Sequence, residues 1–237
     1  LPYTSPHKPV IPSDHFRGKG EAGAYGEFMI ETDWHVGRIL DFLEKEGLEE
    51  NTFILFTSDN GPETTWKKRK ERFRHASNGP YREGKRSIYE GGHRVPFIVR
   101  WPNGVISPGR TSTSPVCQTD LLATLAEIVG TSLPHDAGED SQSFLPALTK
   151  AMTVNRVPMI HHSSRGEFAI RENQWKLVMG STKKRKQELY NLSNDPGETH
   201  NLFETQSERA EALRQKLTQI IRSGRSTQGN PVPNDTP

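Results

Sequence analysis

Asp59 and Asn60 stand side by side where the apolar run Phe53-Ile54-Leu55-Phe56 gives way to Thr57-Ser58, and Gly61-Pro62 follows at once. Two readings fit. Asn-Gly is a favoured hairpin dipeptide. A carboxylate beside a carboxamide also offers the hard oxygen donors that Ca²⁺ or Mg²⁺ prefers. A hairpin needs its partner strand immediately, whereas residues 64–74 are charged and do not alternate. An oxygen-ligand pair belongs where α/β sheets gather ligands, beyond the carboxyl ends of their strands. Lys85, in Gly84-Lys85-Arg86, is either a solvated loop lysine or a compact point charge for an oxyanion. His7 sits in Ser5-Pro6-His7-Lys8-Pro9, where prolines hold the backbone extended. It is either an imidazole presented for acid–base work or an ordinary surface histidine.

Other reactive or charged groups have plainer explanations. Cys117 leads directly into an apolar-faced helix, which favours a buried small hydrophobe over a nucleophile. The run Lys67-Lys68-Arg69-Lys70-Glu71-Arg72-Phe73-Arg74 could attract an anionic polymer. With only Trp66 and Phe73 nearby it lacks the interleaved aromatics of a base-stacking surface, and a solvated charged insert is the favoured reading. Lys183-Lys184-Arg185-Lys186 reads as a polar connection between strands. Over the whole chain, 31 Lys and Arg against 29 Asp and Glu leave a net charge of +2, which makes no general case for nucleic acid or a membrane surface. The basic residues are nevertheless concentrated, nine against two Glu between Thr64 and Arg86. One cysteine excludes an intrachain disulfide, and no apolar run is long enough to span a bilayer. The opening Leu1-Pro2-Tyr3, without initiator Met or leader, reads as the interior of a longer chain.

The elements that must position these groups follow from periodicity. Residues 1–20 read as loop. Phe28, Met29, Val36, Ile39, Leu40 and Leu43 mark a helix that Gly47 stops. Residues 52–58 and 95–101 read as strands, the first buried on both faces. The connection between them is long enough to imply a functional loop. Residues 119–129 form an amphipathic helix with Thr119 as N-cap and Gly130 as stop. This order predicts an α/β fold containing part of a large, mostly parallel sheet with flanking helices, over residues 1–150. Residues 151–222 predict a small α+β unit. Phe168-Ala169-Ile170-Arg171 and Trp175-Lys176-Leu177-Val178 flank Glu172-Asn173-Gln174 as a hairpin, residues 188–192 add a strand, and Ala210, Leu213, Leu217 and Ile220 mark a helix. Residues 223–237 are nearly devoid of apolar side chains and predict a disordered tail.

Taken together, the motifs resemble those of the sulfatase family, within the alkaline-phosphatase superfamily. They are His7 before Pro9, Thr57-Ser58-Asp59-Asn60-Gly61, Gly84-Lys85 leading to Tyr89-Glu90-Gly91-Gly92-His93-Arg94-Val95-Pro96, and Leu189-Tyr190-Asn191-Leu192-Ser193-Asn194-Asp195-Pro196-Gly197-Glu198 with Asn201-Leu202. The resemblance runs in order from Tyr3 to about Ile221. It implies that Asp59 and Asn60 are ligands of a divalent cation, usually Ca²⁺, completed by acidic residues of an earlier segment. It implies further that Lys85 contacts the sulfate and that His7 lies near the sulfate and the leaving oxygen. The implied activity is hydrolysis of a sulfate ester, on a sulfated small molecule or polysaccharide. The family nucleophile is a formylglycine made from a Cys-x-Pro/Ala/Ser-x-Arg motif. Neither that motif nor the early Asp-Asp pair is present, and Cys117 is followed by Gln118-Thr119-Asp120-Leu121. The chain therefore looks like the C-terminal portion of a sulfatase, inactive alone, whose parent would be periplasmic or secreted. The alternatives are a phosphoester or phosphonate hydrolase of the same superfamily, which shares the metal pair, and a non-catalytic module that binds sulfated polysaccharide.

Overall fold

The computed structural model describes residues 1–105, 107–150, 152–180 and 186–233, so most of the basic stretch at 183–186 lies outside the described residues. After a 3₁₀ turn at Asp14–Phe16, helix α1 spans Gly23–Lys45 and ends where Gly47 takes a left-handed φ of 66°. Strand β1, Ile54–Thr57, pairs with β2, Phe97–Arg100, with Ile54 opposite Arg100 and Thr57 opposite Phe97. Between them lie α2, Trp66–Phe73, and the single turn α3, Glu90–His93. Helices α4, Asp120–Ile128, and α5, Leu145–Thr149, follow.

The α/β class stands, but this pair is antiparallel, and no parallel sheet is seen among the described residues. The reason is the connection over residues 58–96. It turns back on itself and re-enters beside β1 instead of crossing over the sheet. Elements packed on the two faces of this pair cover it only in part: β1 is half-buried at all four positions, not fully buried as its apolar run predicts, and Ile98 on β2 is 60 % exposed.

The expected N-cap also differs. The Thr119 hydroxyl contacts Cys117 Sγ and makes no cap bond. Asp120 holds this corner instead. Its carboxylate accepts from the backbone N–H groups of Cys117 and Gln142 and pairs with buried Arg156 at 2.7 Å.

The core is best formed in the second half. Strands β3 (Met159–His162), β4 (Phe168–Glu172), β5 (Trp175–Val178) and β6 (Glu188–Asn191) make an antiparallel sheet in sequence order, and helix α6 covers Ser207–Ser223. The β4–β5 hairpin is as predicted, its turn at Asn173-Gln174 with Asn173 at φ 53°. Alternation decides what each face meets. Ile170, Leu177 and Leu189 pack against Ala210, Leu213 and Leu217 of α6. The opposite face carries Ala169, Val178 and Tyr190, and receives Ile88 and Tyr89 from the long loop. Burying a large apolar side chain stabilises by about 1.5–3 kcal/mol. Ile88 and Tyr89 therefore clamp the loop to the small sheet. Arg171 and Lys176 face each other across β4 and β5, and Lys176 also faces Tyr190 on β6. Both lie on this loop-facing side.

The predicted disordered tail is, as far as residue 233, tied down. Buried Arg225 donates to the carbonyl oxygens of His135 and Asn230, Thr227 N–H to Glu139 O, and Val232 N–H to Ser223 O. One buried guanidinium supplies the anchorage that apolar content does not.

Candidate functional site

Strand β1 ends at Thr57, and Asp59 and Asn60 follow just beyond its carboxyl end, as expected. Local bonds set the tip. Ser58 Oγ donates to Asn60 O at 3.1 Å, and Gln118 Nε2 donates to Ser58 O at 2.5 Å. Asn60 Nδ2 donates to Gly61 O at 3.0 Å, which leaves its amide oxygen free to accept or ligate. Asp59 is exposed, and its carboxylate has no hydrogen-bond or ion-pair partner among the described residues.

Gly61-Pro62 is then stitched to the segment that carries Lys85. Gly61 N–H donates to Gly92 O at 2.9 Å and Lys85 N–H to Pro62 O at 2.8 Å, while Gly91 N–H closes the loop onto Arg82 O at 2.9 Å. The backbones touch so closely that only glycine fits. A Cβ at Gly61 would lie 1.8 Å from Gly91 O, and one at Gly84 would lie 2.4 Å from Pro62 O. Gly61→Ala is therefore expected to cost about 1–3 kcal/mol, the scale for overpacking. Gly37→Ala, in the open on α1, is expected to be neutral or to stabilise by up to about 1 kcal/mol. Urea unfolding midpoints of the two variants check this.

Beside Lys85, Arg86 and Glu63 satisfy each other. Arg86 pairs with Glu63 at 2.8 Å. The Glu63 carboxyl is held at about 2, first by the Thr64 N–H and then by Arg86. Since its pKa is depressed, that contribution is present above the ordinary carboxylate range and is lost as pH falls toward 2. The half-buried Lys85 side chain makes no hydrogen bond or ion pair among the described residues, so its charge remains available to a ligand.

His7 is placed differently. It is exposed, on a turn closed by His7 N–H to Thr4 O, with cis bonds before Pro6 and Pro9 in place of the extended backbone expected from the prolines. Its Nδ1 lies 2.8 Å from Lys8 O, and the turn is tied to α1 through Thr32 Oγ1 to Ser5 Oγ at 2.7 Å. Among the described residues no hydrogen bond or ion pair joins His7 to Asp59, Asn60 or Lys85. Backbone hydrogen bonds thus tie the segment of Asp59 and Asn60 to that of Lys85, and among the described residues none ties His7 to either.

A carboxylate and a free carboxamide oxygen suit a hard cation. Among the described residues no group of three or more His, Cys, Asp or Glu could complete such a site. Cys117 Sγ lies 2.8 Å from Arg156 Nη2, and burial pushes its thiol pKa up.

A buried charge cluster around Glu90 is not among the sequence expectations. Lys176, fully buried, lies between Glu90 and Glu198, with Arg171, His93 and His161 around it. Burial alone would raise Glu90, but His93, Lys176 and Arg171 hold it far below the carboxylate range. Burial pushes His161 well below its usual value and, against the raising effect of Glu90, lowers His93. The signal was present in part: a lysine at the inward position of Trp175-Lys176-Leu177-Val178 must find a buried acid.

With this geometry the chain finds its relatives. Residues 3–131 match the Sulfatase family model, and residues 82–226 match the model of the N-sulphoglucosamine sulphohydrolase C-terminal region. This chain belongs to the sulfatase family. It is 34 % identical over 231 residues to the N-acetylgalactosamine-6-O-sulfatase of Bacteroides thetaiotaomicron, covering 90 % of this chain and 45 % of the relative. It is 38 % identical over 148 residues to human steryl-sulfatase, covering 62 % of this chain and 25 % of that protein. Among solved structures, one from Bacteroides thetaiotaomicron, titled for metabolism of multiple glycosaminoglycans, superposes with a TM-score of 0.83 at 32 % identity, covering 92 % of this chain and 48 % of that one. Ps i-CgsB in complex with k-i-k-neocarrahexaose gives 0.77 at 26 %, covering 91 % and 48 %. The chain spans about half the length of the relatives it matches end to end.

Proposed function

We propose that the chain is the C-terminal portion of a sulfuric ester hydrolase acting on a sulfated saccharide. One observation carries this reading. Backbone bonds from Gly61 to Gly92 and from Lys85 to Pro62 tie the segment of Asp59 and Asn60 to the segment of Lys85. Asp59 and Asn60 Oδ1 would hold a divalent cation, Ca²⁺ by family resemblance, which when bound would neutralise charge on the sulfate oxygens. Lys85 would stabilise the charge that grows on the non-bridging oxygens as the S–O bond breaks. His7 Nδ1 donates to the Lys8 carbonyl at 2.8 Å, which leaves Nε2 as the acceptor of the neutral ring. By family resemblance His7 would lie near the departing oxygen, and only its imidazolium form would carry a proton there on Nε2. The nucleophile, a formylglycine in this family, would come from outside the 237 residues.

The saccharide is supported by the names of the relatives, an N-acetylgalactosamine-6-O-sulfatase and a protein bound to neocarrahexaose. The test uses the full-length protein that carries this chain. It should hydrolyse 6-sulfated N-acetylgalactosamine or an aryl sulfate and lose that activity on chelation. Faster turnover of a phosphate monoester than of either sulfate would move it to the phosphoester alternative.

Helix α2 bears on substrate size. Lys67, Lys68, Lys70 and Arg72 are exposed and have no ion-pair partner among the described residues. Reversing Lys67, Lys68 and Lys70 to Glu is expected to raise KM for a sulfated polysaccharide about 10-fold at low salt and to leave a monosaccharide sulfate unaffected. The difference should shrink as ionic strength rises.

A further inference from the structure

We infer that Lys176, in the small sheet, is a positioning residue for the Asp59–Asn60–Lys85 edge, an inference that rests on the function proposed above. Lys176 Nζ lies 3.0 Å from Glu90 Oε1, 2.9 Å from Glu198 Oε1 and 3.2 Å from His93 Nε2. Glu198 Oε2 in turn accepts the Glu90 backbone N–H at 2.6 Å. Arg171 and Arg94 reach Glu90 Oε2 at 3.3 and 3.5 Å. Glu90 is thus held by its side chain and its backbone at once, from β4, β5 and the turn at 195–198.

The residues immediately after Glu90 are those that seat the candidate ligands. Gly91 O is the atom against which Gly61 packs, and Gly92 O accepts the Gly61 N–H. Gly91 N–H also fixes Arg82 O, at the start of the loop that carries Lys85. Two hydrogen-bonded steps therefore connect a buried lysine of one unit to a candidate metal edge of the other. Apolar contacts from Ile88 and Tyr89 already fasten the loop to the sheet, but such contacts are non-directional. Buried ion pairs add little net stability relative to apolar residues of similar size, and what they supply is a defined arrangement. Here that arrangement sets where Gly91 and Gly92 present their carbonyl oxygens.

The experiment compares full-length wild type with Lys176→Met, with Lys176→Arg, and with the charge-balanced Lys176→Met/Glu198→Gln, which still offers an oxygen to the Glu90 N–H. Below each variant's own melting midpoint, Lys176→Met is expected to lower kcat and Ca²⁺ affinity about 10- to 100-fold, the range for residues that orient ligands from behind. KM should change less, and Lys176→Arg should recover most of the loss. Independently of activity, hydrogen exchange in peptides covering 59–62 and 84–92 should quicken, with α6 unchanged. If Lys176→Met does not fold, the double variant must show the same pattern. Wild-type kcat, Ca²⁺ affinity and exchange in a folded variant would overturn the inference. So would exchange that quickens equally in α6, the mark of a merely structural role. Should wild type neither bind Ca²⁺ nor cleave sulfate, the functional reading fails. The exchange comparison still decides whether Lys176 positions this edge.

Discussion

Replacing Lys85 by alanine in the full-length protein is expected to reduce turnover of a sulfate ester by at least about two orders of magnitude, the scale for losing one preorganised partner of transition-state charge. The structure explains why this loss should be separable from stability. The Lys85 ammonium makes no ion pair or hydrogen bond among the described residues, and only its backbone N–H, which alanine keeps, fastens it to Pro62. Melting temperature should therefore hardly move while kcat falls. Asp59→Ala should cost at least as much. Its carboxylate is likewise free of internal partners, so its removal takes away a proposed ligand without opening the fold. Calorimetric titration with Ca²⁺ should show the weakened binding directly. Lys67→Ala, on the exposed face of α2, is the control and should leave turnover of a small sulfate nearly unchanged. Wild-type turnover in the Lys85 variant would remove that residue from the mechanism.

How far the sequence led depends on how local each feature is. Asp59-Asn60 at a strand end, the β4–β5 hairpin and the stops at Gly47 and Gly130 are local, and all stand where residue type and period put them. Strand direction is not local. Nothing in Ile54–Thr57 or Phe97–Arg100 says that the connection returns antiparallel. Strand β3 was missed because Met159-Ile160-His161-His162 lacks polar–apolar alternation, and only pairing with β4 makes it a strand. The pairing of Lys176 is not local either, because its partners Glu90 and Glu198 lie far away in sequence and are brought to it by the fold. His7 shows the opposite limit: a motif match names it, and no hydrogen bond or ion pair joins it to the other three residues among those described.

The 237-residue chain expressed alone is expected to show no sulfate-ester hydrolysis above background, and to be compact only in its second half. The reaction proposed above needs a cation and a nucleophile together. The described residues offer two oxygen donors from one strand end and no group of three or more that could hold a metal, whereas Ca²⁺ takes six to eight oxygens. Affinity contributed by Asp59 and Asn60 alone should be too weak to populate the site at micromolar Ca²⁺. The packing is equally uneven. Apart from Tyr89 and Ile88, which plug into the small sheet, few large apolar side chains of the first 150 residues are fully buried. Ile98 is 60 % exposed, Val129 72 % and Phe42 57 %, and the β1–β2 pair has open edges. Exposed apolar surface beside unpaired strand edges is the recipe for association. Limited proteolysis should therefore cut first within residues 1–60 and 100–150. A fragment spanning β3 to α6, where Ile170, Leu177 and Leu189 are sealed by α6, should survive. Size-exclusion chromatography should show aggregation that rises with concentration. A monodisperse preparation that turns over an aryl sulfate, and loses that activity on chelation, would refute this expectation and place a nucleophile within these 237 residues.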